Sequence, residues 1–170
     1  MPTERVSPRY HEMLKFRWDA VRSVRRAVKS GLYKDDITLD TKRETLEHLG
    51  QTILDVYSAG RDAEFPGFSL TIDPRVGEMA GGYRRDDASI VINKPSLTTF
   101  LHELAHHLQW HRDGVVSEDF ARAFSMGMFY RACPKMFQRA VETGKIMFSS
   151  RDWFPTGEPT ADMPGIPEGA

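Results

Sequence analysis

The chain has 170 residues, 40% of them hydrophobic and 28% charged, with a net charge of −1. That length supports one domain with a buried core, and the near-neutral balance supplies no global field toward nucleic acid or a membrane surface. A single cysteine, Cys133, excludes an intrachain disulfide and fits a reducing compartment.

"MPTERVSPRY" has no apolar h-region and no segment reads as a membrane span, so a cytoplasmic protein without signal peptide or membrane contact is expected. The charge is uneven: residues 1–34 carry nine Lys or Arg against Glu4, Glu12 and Asp19, a local balance of +6. From about Pro8 to Ser30, Met13, Phe16, Trp18, Val21, Val24 and Val28 recur at helical spacing, and Gly31 supplies a stop. Arg22, Arg25, Arg26 and Lys29 make a positive strip on that helix. Its first reading is a solvated face, and its alternative is contact with nucleic acid or an acidic protein. Phe16 and Trp18 are assigned to the core. A second helix is expected from about Asp40 to Ser58, with Leu46, Leu49, Ile53 and Val56 or Tyr57 as its apolar stripe.

The period then shortens. Phe68–Asp73 alternates as a strand does, and two more strands, Met79–Arg84 and Ala88–Ile92, flank an Arg-Asp-Asp turn. Gly81 and Gly82 make the first of these either an edge open to an extended peptide or a strand with a glycine bulge. Ser96 then caps a helix that ends near Asp113-Gly114, and Ser117 caps another running to Cys133-Pro134, where Cys133 reads as an inert thiol at a helix end. "KMFQRAVETG" is a last short helix, and the Pro-rich tail, 149–170, is expected to be disordered.

The chemistry concentrates in "TTFLHELAHHLQWH", where His102, Glu103 and His106 form H-E-x-x-H. On a helix, positions i and i+4 share a face, so two imidazoles can bind one Zn²⁺, and the intervening glutamate stands where it can take a proton from water. A chance match on a solvated helix is the alternative. Against it, Leu101, Leu104, Ala105 and Leu108 give the same helix a continuous apolar face, and "ASIVIN" supplies a sheet for it to pack on.

A zinc held by two histidines needs a third protein ligand if one position is to stay open. His107, His111, Glu118 and Asp119 lie within reach in sequence. His107 points about 100° away from His106 around the helix, and His111 is more than a turn farther along. The longer signature H-E-x-x-H-x-x-G-x-x-H is excluded by Gln109 and Arg112. Glu118 returns to the histidine face if the turn at residues 113–116 folds its helix back. Asp119 beside it points elsewhere, so Glu118 is preferred.

"INKPSLTTFLHELAHHLQWH" followed by "EDFARAF" resembles the core of the small gluzincin metallopeptidases of the ImmA/IrrE type, over about residues 79–128. That resemblance implies His102, His106 and Glu118 as zinc ligands and Glu103 as general base. SprT-like metalloproteases share H-E-x-x-H but take a later histidine, and none follows His111. The expected architecture is α+β: N-terminal helices, a small antiparallel-containing sheet, the H-E-x-x-H helix and a glutamate-bearing helix. It forms one domain over 1–148, with a basic helical region (about 8–60) before the zincin-type core (about 66–146).

The expected activity is zinc-dependent hydrolysis of peptide bonds in a protein or peptide substrate. A non-catalytic zincin-fold binding or regulatory protein is the rival. Tyr83, His107, His111, Arg122 and Tyr130 remain equal candidates for stabilising an oxyanion.

Overall fold

The structure, a computed structural model, describes Leu14 and residues 16–76 and 81–146. Its first helix, α1 (Trp18–Lys29), turns Ala20, Val21, Val24 and Ala27 inward. The sequence pattern places the start of this helix at about Pro8. Residues 8–13 lie outside the described residues, but Phe16 and Arg17 are not helical, and Arg17 is extended at φ −67°, ψ 134°.

Phe16 packs from that extended segment against Phe124 and against Gly127, where a Cβ would collide with its ring. Trp18, expected in the core, is 55% exposed. The inward arc of α1 is already filled by small and branched residues, so Trp18 falls on the outer face. There the guanidinium groups of Arg22 and Arg25 each lie 5.7 Å from its ring centroid.

Helix α2 (Leu39–Ser58) begins one residue earlier than expected because the Thr38 side chain accepts from the Thr41 N–H. Leu46, Leu49, Ile53, Leu54 and Tyr57 form its buried stripe, and of the pair left open in the sequence it is Tyr57 that is buried. Three strands follow: β1 (Ser69–Ile72), then β2 (Gly81–Arg84) and β3 (Ser89–Ile92). Residues 79 and 80 of the expected second strand lie outside the described residues.

The order is β1-β3-β2, with β3 parallel to β1 and antiparallel to β2. As the central strand, β3 buries Ile90 and Ile92 completely. The pairing of β2 runs without interruption from Gly81 opposite Ile92 to Arg84 opposite Ser89, so the glycines make no bulge. Gly81 is needed for a different reason: a Cβ there would sit 2.9 Å from Thr99 Cγ2, on the helix that packs behind the strand.

That helix, α3 (Leu97–Asp113), is capped by Ser96 and ends at Gly114, which is left-handed at φ 69°. Leu97, Phe100, Leu101, Leu104, Ala105 and Leu108 are wholly buried along one side. Helix α4 (Glu118–Ala132) follows with Ser117 as cap, and α5 (Pro134–Glu142) starts directly after Cys133. Side chains from every helix and from the sheet join one continuous apolar core. The fold is α+β and mostly helical. The expected disordered tail, 149–170, lies outside the described residues. Among the described residues no helix is long and apolar enough to cross a membrane.

Gly50, in the middle of α2, lies under the rings of Phe68 and Phe100, and a Cβ there would be 2.8 Å from Phe100 Cζ. Alanine's better helix propensity contributes about 1 kcal/mol, whereas forcing a methyl group into a filled core costs about 1–3 kcal/mol. Phe100 is fully buried, and the added Cβ would meet the Phe68 ring even more closely than the Phe100 ring. Gly50→Ala is therefore expected to lower unfolding stability by about 1 kcal/mol in urea titration. A more stable variant would show that the rings give way freely.

Candidate metal centre

The apolar side of α3 is locked into the core, so its opposite side turns His102 and the buried His106 toward one cleft. Their rings meet edge to face with centroids 4.9 Å apart. His102 Nε2 lies 2.9 Å from Glu118 Oε2, and His106 Nε2 lies 3.0 Å from Glu118 Oε1. One ligand atom from each of the three residues falls within 4.8 Å of the others, close enough for a single metal ion to be held by all three. Two imidazole nitrogens and a carboxylate oxygen suit zinc and its first-row neighbours.

The short segment between α3 and α4 delivers Glu118. Gly114 closes α3 by donating its N–H to Trp110 O at 2.9 Å. The side-chain oxygen of Gln109 then accepts the Ser117 N–H at 2.7 Å, and the Ser117 hydroxyl accepts the Phe120 N–H. Gln109 is 4% exposed, a buried amide on the histidine side of α3, two turns after His102. The sequence reading treats it only as a departure from a longer zinc signature. The signal for this role is its spacing, two turns after His102 on the face to which Glu118 returns. Asp119 is exposed and is not among the three residues that converge.

Burial lowers the pKa of both imidazoles. At His102 the Glu118 carboxylate opposes the shift and Arg122 adds to it, and at His106 the neighbouring His102 adds to it. Neutral imidazoles are the form that binds a metal. His106 Nδ1 is buried without a hydrogen-bond partner among the described residues, so no acceptor there orients the ring.

Glu103 is 7% exposed and lines the same cleft. Burial first, and the Glu118 carboxylate second, push its carboxyl up to about 7. A bound divalent cation would offset the Glu118 contribution.

His107 serves another purpose. It is wholly buried, and its Nε2 donates to the Pro66 carbonyl at 2.7 Å. A carbonyl only accepts, and burial keeps the ring neutral, so Nδ1 carries no proton. The Tyr83 hydroxyl therefore donates to Nδ1, at 2.8 Å, with His111 Nε2 at 3.5 Å on its other side. This tether joins β2 to α3 and to the segment before β1.

Of the five oxyanion candidates, Tyr83 and Arg122 line the cleft, which has a volume of about 900 Å³. The Tyr83 proton is committed to His107. Tyr130 packs its ring on Phe137 instead. The cleft is also walled by Ser125 and by Met126, Lys145 and Ile146, the last three of which the sequence pattern did not single out. Comparison with protein families, curated proteins and solved structures returned no match.

Outer hydrogen-bond partners of a metal ligand are already worth about 10–100-fold in affinity. Glu118→Ala removes a donor atom outright and is expected to weaken metal binding by more than roughly 100-fold. Elemental analysis of protein purified without added metal should find about one equivalent in the wild type and little in the variant. Equal content in both would place any metal elsewhere. Tyr83→Phe leaves a buried imidazole acceptor unpaired and should cost about 1–3 kcal/mol of stability with metal content unchanged. Loss of metal in that variant would contradict the separation of the two histidine sets.

Proposed function

We propose that the chain is a zinc-dependent metallopeptidase of the small gluzincin type. The observation that carries this reading is the convergence of His102 Nε2 and His106 Nε2 on the two oxygens of Glu118, with Glu103 buried beside them in an open cleft. His102, His106 and Glu118 would hold the metal. When bound, zinc supplies a Lewis acid that polarises a peptide carbonyl and makes water acidic near neutral pH.

Glu103 acts as the proton carrier. Its carboxylate accepts a proton from the attacking water and later passes it to the leaving amine. Burial raises this carboxyl above the ordinary carboxylate range, the direction that suits a group which both takes up and releases a proton. The substrate chain would lie along β2, an edge strand whose residues line the cleft. Among the described residues no atom lies within 4 Å of the position where Gly82 would carry a Cβ, which leaves room for a peptide backbone to approach. The tether from Tyr83 to His107 holds that strand at a constant distance from the metal ligands.

The rival reading, a binding protein that keeps the metal as a scaffold, needs the histidines but not Glu103. Glu103→Gln preserves side-chain volume and removes the base. It should retain metal and fold while peptide hydrolysis falls by about 10²–10⁴-fold, measured with an unbiased peptide library and mass spectrometry. Undiminished hydrolysis in this variant would rule out Glu103 as the base. No hydrolysis in zinc-loaded wild type would favour the scaffold.

A further inference from the structure

Resting on the peptidase reading, we propose that the cleft selects acidic peptides, those carrying Asp or Glu beside the bond to be cut. The charges on its walls argue for this. Arg84 and Arg85 stand at the β2 end, Arg122 on α4 and Lys145 after α5, and all four are exposed residues lining the cleft. Apart from Glu103 and Glu118, the acid that shares this wall is Asp86.

The cations come from three separate parts of the fold and face one space. Glu118 is drawn onto the two imidazoles and, with a metal present, would be neutralised by it. Arg85 is held in place by Trp110, whose ring centroid is 4.8 Å from its guanidinium carbon. It therefore presents its charge at a defined point. The Ser89 hydroxyl first, and Arg84 to a smaller degree, hold the Asp87 carboxyl below its usual range, so Asp87 takes up part of the Arg84 field.

Close contacts also set the direction of the cleft. Gly81 lies against Thr99, Tyr83 against His107 and Arg85 over Trp110, so α3 runs alongside β2 in the same sense. An extended peptide laid on the β2 edge past His102 and His106 reaches Arg84 and Arg85 within a few residues. At exposed sites each matched charge contributes modestly and is screened by salt, whereas a mismatched lysine is repelled by several like charges together.

The test is binding of three labelled twelve-residue peptides with one shared apolar centre, flanked by Glu, Ser or Lys. Fluorescence anisotropy would use the zinc-loaded full chain carrying Glu103→Gln, so that turnover does not consume the probe. The Glu peptide is expected to bind roughly tenfold more tightly than the Lys peptide, and the gap should narrow between about 50 mM and about 500 mM salt. Arg84→Glu with Lys145→Glu, both at exposed positions, should abolish or invert the order. Either single variant carries the same test if the double one fails to fold by circular dichroism. Equal binding, preference for the Lys peptide, no binding of any peptide, or an order unchanged by charge reversal would each overturn the proposal.

Cleavage of the same peptides by wild type reads the peptidase proposal separately. Hydrolysis with no charge order would sink the selectivity and leave the activity standing. Charge-ordered binding without hydrolysis would do the reverse.

Discussion

The return of α4 across α3 is the constraint on which the site depends. Two histidines a turn apart on a helix make only an open pair, and the third donor must come from elsewhere in the chain. Here it comes at once, because α3 stops at a left-handed glycine and the Gln109 side chain takes up the Ser117 N–H. The first residue of α4, Glu118, then reaches both imidazoles, although its side chain is 74% exposed. What holds α4 in that position is remote from the chemistry: Phe120 and Phe124 are buried without remainder beneath the turn. Phe124 also meets Phe16 and Tyr57 in aromatic contacts.

Adjacent histidines on α3 carry opposite duties. His106 faces the cleft and His107 faces the sheet, because successive residues on a helix are about 100° apart. Burial keeps both neutral, but the consequence differs. For His106 neutrality leaves a lone pair for a metal. For His107 it leaves an acceptor for Tyr83 while the other nitrogen holds Pro66, so that β2 is tied to the helix that carries His102 and His106.

The N-terminal helix shows how local pattern can mislead. Helical spacing alone makes Trp18 a core residue, but Ala20, Val21, Val24 and Ala27 leave no volume for an indole against α2 and α4. The ring turns outward onto the basic strip, between Arg22 and an Arg25 whose Nε donates to the Ala132 carbonyl at 2.9 Å. Phe16, two residues earlier, does pack against the core, but from the extended segment before the helix. Periodicity reports which residues are apolar. It does not report where a helix starts when no side-chain cap marks the place.

The amino-acid sequence by itself determined the elements whose signals are local: the capped starts of α3 and α4, the glycine stop after Asp113, the branched strands and the i, i+4 pair of histidines. Each depends on residues within a turn or two of one another, so each can be read without knowing the fold. Tertiary structure alone decided what depends on distance along the chain. The parallel pairing of β1 with β3 brings together strands separated by β2. The convergence of Glu118 on His102 and His106 spans sixteen residues for the longer link. The Tyr83–His107–Pro66 tether crosses twenty-four residues in one bond and forty-one in the other. Side-chain direction around a helix is set by sequence, but what stands opposite is set by packing, and the chemistry of this cleft lies in what stands opposite.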